Sequence, residues 1–175
     1  MKRSGIWALS LMVVTVLFPL ERGGAQNVNT TIPISVTVAA ACSISGTGLN
    51  FGSYVGTQLT STGTITVTCS QDRPYNVTLD RGLNFDAGAL NIRGLSDPNS
   101  QTFSVKLKYF LYKDSALTQE WGDSGFAGTY TLGTSVAGIG TGSAQTLTIY
   151  GKLLADQIGA APGTYTDTVV ATLFF

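Results

Sequence analysis

Thr30-Thr31-Ile32-Pro33-Ile34-Ser35-Val36-Thr37-Val38 alternates strictly, with Ile32, Ile34, Val36 and Val38 on one face and Thr31, Pro33, Ser35 and Thr37 on the other. A period of two marks a half-buried β-strand. The same signal recurs along the rest of the chain, with further strands expected over residues 49–54, 62–70, 75–80, 103–113, 128–132, 144–154 and 163–175. Between them lie turn formers, among them Gly46-Thr47-Gly48, Gln71-Asp72-Arg73-Pro74, Ser96-Asp97-Pro98-Asn99, residues 137–142 and Ala161-Pro162-Gly163. Only residues 115–120 and 153–158 have helix tendency, and both are short. Many short strands with regular turn signals point to one antiparallel β-sandwich, with no linker, repeat or charge block to mark a second domain.

Working outward toward the N-terminus, Lys2 and Arg3 precede an apolar run over residues 6–18, followed by Gly23-Gly24-Ala25. That is the anatomy of a secretory signal peptide over residues 1–25, cleaved after Ala25. Thirteen apolar residues fall well short of the roughly 20 that a membrane span needs, and no stable membrane span is expected in the product. Removing Lys2, Arg3, Arg22 and Glu21 leaves seven basic and nine acidic residues, a net charge of −2. An exported chain meets an oxidising compartment, so Cys42 and Cys69 are read as one disulfide. Their loop of 28 residues corresponds to about 3 to 4 kcal/mol of chain-entropy stabilisation.

Composition excludes several functions. The 175-residue chain contains no histidine and two cysteines, so Ser-His-Asp triads, Cys-His dyads and His-ligated zinc sites are ruled out. Charged residues make up 11% of the chain, which leaves no electrostatic footprint for nucleic acid. Gly138-Ile139-Gly140-Thr141-Gly142 has Ser143 where a dinucleotide fingerprint wants glycine, and reads as a turn. The acids are scattered through turns and strand ends, and Asp114 and Asp123 read as turn caps. No catalytic, cofactor-binding or metal site is expected, and the chain is not read as an enzyme. From a different function class, Trp121, Tyr112 and Phe126 near Gly122 and Gly125 suggest a stacking platform for a carbohydrate-binding adhesin; the plainer reading makes them core or loop anchors.

Several segments in order resemble the spore coat protein U domain, which is shared with subunits of archaic, Csu-type chaperone-usher pili. They are Leu49-Asn50-Phe51-Gly52, Gly63-Thr64-Ile65-Thr66-Val67-Thr68-Cys69, Tyr75-Asn76-Val77-Thr78-Leu79-Asp80, Leu107-Lys108-Tyr109-Phe110-Leu111-Tyr112-Lys113-Asp114, Trp121-Gly122-Asp123 and Pro162-Gly163-Thr164-Tyr165-Thr166-Asp167-Thr168-Val169. The resemblance runs from Cys42 to Phe175. It implies an N-terminal extension over residues 26–41 with a donor strand, and a domain over residues 42–175. That domain would be an incomplete immunoglobulin-like antiparallel β-sandwich, completed by a strand from a neighbouring subunit.

The implied partners are a periplasmic chaperone, an outer-membrane usher and further copies joined head-to-tail in a homopolymer, with no cofactor. The implied setting is an extracellular fimbria at the cell surface, reached through the periplasm, that supports attachment and biofilm formation. A spore or resting-cell coat is the other assembly the family suggests. On the pattern alone, the simpler reading of residues 30–38 is the first strand of the chain's own sandwich. The other reading sends Ile32, Ile34, Val36 and Val38 into a neighbour's groove. Pro33 has no N–H to give a ladder, which ranks Ile34, Val36 and Val38 above Ile32. The groove itself is expected from residues 103–111 and 164–175.

Overall fold

A computed structural model describes residues 23–24, 26–88, 91–99, 105–126 and 128–175. The signal peptide reading of residues 1–25 falls largely outside them, as do Phe103 and Ser104. The described residues fall into two units, one ending at Thr37 and one formed by Val38–Phe175. In the first unit the described residues carry no regular secondary structure, and Val28, Ile32, Ile34 and Val36 are exposed. Residues 30–38 are therefore not the first strand of the chain's own sandwich. That place belongs to β1.

The second unit is all β. Its strands are β1 (Cys42–Gly46), β2 (Leu59–Cys69), β3 (Pro74–Leu79), β4 (Gly94–Leu95), β5 (Leu107–Tyr112), β6 (Trp121–Ser124), β7 (Val136–Ile139), β8 (Ala144–Leu153) and β9 (Ala171–Phe174). One sheet has the order β1-β2-β8-β5-β4 and the other β7-β3-β9, and every named pair is antiparallel. Alternation places the core. Ile65, Val67 and Cys69 of β2, Leu107, Tyr109 and Leu111 of β5, and Ile149 and Leu153 of β8 face Tyr75, Val77 and Leu79 of β3. This is an incomplete immunoglobulin-like sandwich. Cys42 and Cys69 sit opposite each other in the β1–β2 ladder and form the disulfide.

One region of the sandwich is sealed. Trp121 is fully buried and its indole N–H donates to the Val77 carbonyl at 2.9 Å. Arg93, also fully buried, donates to the carbonyls of Leu79, Asp80 and Trp121 and stacks over the Tyr130 ring, 3.8 Å from its centroid. Burial pushes its guanidinium pKa down from the ordinary value. The carbonyls stand in for part of the water that the cation has lost, and Nη1 is left without a hydrogen-bond partner.

Several expected elements differ. Residues 49–54 and 128–132 form no strand, and the C-terminal strand is confined to Ala171–Phe174. Residues 137–142, read as a turn, begin within β7. A Cβ on Gly138 would lie 2.3 Å from Tyr75 Cζ, so glycine is there to let β3's ring come close. Residues 115–120 and 153–158 form turns and the end of β8 rather than helix.

Candidate functional site: an open cleft between the sheets

Beside this seal the two layers part. A cleft of about 1160 Å³ opens between them, floored by Ile65, Leu107, Tyr109, Leu111, Ile149 and Leu153. One wall is the segment following β1. Leu49 and Phe51 there lie over the glycines of the floor, and a Cβ on Gly151 would meet Leu49 Cδ2 at 2.5 Å and Phe51 Cζ at 2.9 Å. Glycine at 63 and 151 is what lets this segment approach the sheet. The second wall runs along residues 160–171, with Tyr165, Val169 and Ala171 packed toward the core. These wall residues are only partly buried, although their neighbours on the floor are in the core.

The second wall also has a free backbone edge. Among the described strands, β9 pairs only with β3. The carbonyls of Thr166, Thr168 and Val170 accept from Ser96, Leu83 and Asp80 on that same side. Backbone groups alternate sides along a strand, so those of the odd-numbered residues 165, 167, 169, 171 and 173 point the other way, into the cleft's edge. An apolar floor beside an unpaired ladder is the geometry that accepts an added strand.

One charged group interrupts the apolar wall. Asp167 accepts from the Tyr109 hydroxyl at 2.6 Å and from the backbone N–H groups of Asn84 and Thr168 at 2.9 and 2.8 Å. Burial, with the bond to Asp167 second, pushes the Tyr109 pKa well above its ordinary value of 10.0. Gln157 closes the far end. Its side-chain amide accepts from Lys108 N–H at 2.6 Å and donates to Lys108 O at 3.1 Å, as a strand backbone would.

The expected site residues sort plainly. Ile32, Ile34, Val36 and Val38 are between 78% and 94% exposed. Of the expected groove lining, Leu107, Tyr109, Leu111 and residues 164–169 with Ala171 do line the cleft. Sequence reasoning missed the wall over residues 46–56. Its signal was the run of Leu49 and Phe51 among glycines, which was read as a strand. The carbohydrate platform is overturned: Trp121 is fully buried, Tyr112 is buried, and Phe126 stacks on Phe174 with centroids 4.8 Å apart. Asp114 does cap a turn, accepting from Thr118 and Gln119, and Asp123 does the same for Thr129 and Tyr130. Among the described residues no cluster of acids and cysteines is placed to hold a metal ion.

Residues 28–172 match the family described as the Spore Coat Protein U domain. The chain belongs to that family. The U domain of this chain is 35% identical over 150 residues to Protein U of Myxococcus xanthus, covering 79% of each chain. It is also similar to a chain in the crystal structure of the CsuC-CsuE chaperone-tip adhesion subunit pre-assembly complex, from the archaic chaperone-usher Csu pili of Acinetobacter baumannii. The TM-score there is 0.56 at 26% identity, covering 79% of this chain and 40% of that one. The U domain chain thus spans well under half the length of that structural relative. Family and fold are those of structural subunits and not of enzymes.

Proposed function

We propose that this U domain protein is a structural subunit of a chaperone-usher pilus, built by donor-strand exchange. The observation that carries the reading is the apolar cleft beside the unpaired edge of β9. A subunit left with such an edge is prone to aggregate. In the periplasm a chaperone strand covers it, and at the outer-membrane usher residues 26–41 of the next copy replace that strand. Ile32, Ile34, Val36 and Val38 enter the cleft while their backbone pairs with the odd-numbered residues of the wall. Burying the four contributes about 6 to 12 kcal/mol before ordering costs, at about 1.5 to 3 each. Donor and cleft are different surfaces, so the contact is head-to-tail and propagates into a filament. The signal peptide, the disulfide and the similarity to a chaperone-bound pilus subunit support export through the periplasm to a surface fimbria that serves attachment and biofilm formation.

Deleting residues 26–38 tests this: the truncated subunit still pairs with its chaperone but gives no ladder of SDS-resistant multimers. Multimers from the truncated chain refute the reading. The family description favours a second assembly, a spore or resting-cell coat. Neighbouring genes for a periplasmic chaperone and an outer-membrane usher separate the two, because a coat protein encoded alone has no use for them.

A further inference from the structure

The N-terminal extension is fastened to the sandwich at its root. Ala41 is the last residue before β1, and Ser70 is the first after β2. The Ser70 N–H donates to the Ala41 carbonyl at 2.9 Å, the Ala41 N–H donates to Ser70 Oγ at 3.0 Å, and the Ser70 hydroxyl donates to the Ala41 carbonyl at 3.2 Å. One residue further in, the disulfide joins Cys42, the first residue of β1, to Cys69, the last of β2. Hydrogen bonds and a covalent bond thus meet where residues 26–41 enter the body.

The next stretch of chain is held far less firmly. Among the described strands, β1 pairs only with β2, and it lies at the edge of its sheet. It runs directly into the first wall of the cleft, whose lining begins at Gly46, the last residue of β1, and continues to Gly56. β2 is different, because it lies inside the sheet between β1 and β8. Its ladder with β8 runs from Leu59 opposite Leu153 to Thr68 opposite Ala144. On the donor-strand reading, on which this inference rests, each subunit is pulled from two sides: by its own extension, seated in one neighbour, and by the other neighbour's strand in its cleft. Without a cross-link, tension entering at Ala41 follows the backbone along β1 into residues 47–56 and strips away the wall beside the next donor. Lifetime under load depends on how fast the loaded element gives way, not on the equilibrium stability of the whole.

We infer that the Cys42–Cys69 bond is a load shunt: it passes tension from the extension straight into β2 and keeps it off β1 and the cleft wall that β1 leads to. The Ala41–Ser70 hydrogen bonds align the chain where the load arrives. The subunit's hold on one neighbour is thereby insulated from the pull of the other. An oxidising setting outside the cell keeps the bond closed.

The test holds single fibres of the unaltered chain, assembled with its chaperone and usher, at constant force with and without dithiothreitol. A thiolate of the reductant attacks one sulfur, the other leaves as a thiolate, and the mixed disulfide resolves as the reductant closes its own ring. A stretched S–S bond reacts faster than an unloaded one. Dithiothreitol is therefore expected to add lengthening steps of up to about 50 Å, the reach of residues 42–56 at 3.3 to 3.6 Å each. Their rate should climb roughly tenfold or more across the forces that the fibres withstand. At rest, the reduced fibres should keep their SDS-resistant multimers, since nothing draws on β1. Fibres of the double variant Cys42→Ser, Cys69→Ser should show the same steps without reductant and break roughly tenfold sooner. A bond that only stabilises the fold predicts multimers lost at rest as fast as under load. That result overturns the inference, as does a step rate that ignores force or the absence of added steps. Fibres that still assemble from a chain lacking residues 26–38 defeat the donor-strand reading instead.

Discussion

Two regions of the sandwich share one hydrophobic core yet are finished differently. Around Trp121, inward-facing side chains find partners within the chain: the indole bonds to Val77, Arg93 satisfies three carbonyls, and Asp123 holds the Thr129-Tyr130 backbone. Around Ile65 and Ile149 an equally apolar floor is covered by loose walls, and one bordering strand has an unused edge. The contrast separates stability from assembly. The sealed region holds the chain's own fold; on the function proposed above, the open one keeps its stabilisation in reserve for a second molecule.

The largest expected effect is therefore in the sealed region. Trp121→Ala should remove about 3 to 5 kcal/mol of subunit stability, as for other buried aromatic truncations, measured by denaturant unfolding of the chaperone-free chain. A loss below about 1 kcal/mol would break the contrast. Replacing Cys42 and Cys69 by alanine comes next, at about 3 to 4 kcal/mol from the freed loop. The same unfolding curve reads it, with the unreduced protein as reference. Val169→Asp, in the open region, should change subunit stability by less than about 1 kcal/mol while cutting SDS-resistant multimers tenfold or more. Equal effects on both readouts would show that the cleft is ordinary core.

Titration sharpens the comparison further, because a tyrosine stands in each region. Tyr109 in the cleft and Tyr130 in the sealed region both have their pKa raised, first by burial and then, respectively, by the bond to Asp167 and by the Glu120 charge acting against the favourable pull of Arg93. A raised folded pKa means that stability is intact below the unfolded value of 10.0 and is lost as pH rises beyond it. The expected fall is about 1.4 kcal/mol per pH unit for each tyrosine that ionises only on unfolding, seen in melting temperatures between pH 9 and about 11. A flat profile there would mean that both hydroxyls already meet water. The smallest effect is on the acid side. Hydrogen bonds from Thr118 and Gln119 lower the Asp114 pKa, and bonds from Gly88 and Lys108 lower that of Asp86. Both contributions are present above the ordinary carboxylate value of 3.8 and fade only as pH falls below it, so melting temperature should hold between pH 7 and pH 5.

Legibility followed the same division. Strands β2, β3, β5 and β8 lie within a few residues of where alternation places them, because each buries one face and its odd-numbered residues declare it. Strand β7 was hidden by Gly138 and Gly140, which serve close approach to Tyr75 and to the Ser70 carbonyl but look like turn residues in isolation. Leu49 and Phe51 alternate like a strand, yet they form no ladder and lie over Gly63 and Gly151. Asp167 was visible within the Pro-Gly-x-Tyr-x-Asp run, but nothing near it in sequence announces Tyr109, which lies 58 residues away.

The amino-acid order alone determined a β protein, the pairing of its two cysteines, and an N-terminal ribbon whose greasy face has four members. Side-chain pattern reports each strand's surroundings, and oxidation needs only two thiols in the right compartment. Which ladder lacks a neighbour was decided by the packed sheets, since every peptide unit carries the same donor and acceptor and only the strand order in space leaves some of them unmatched.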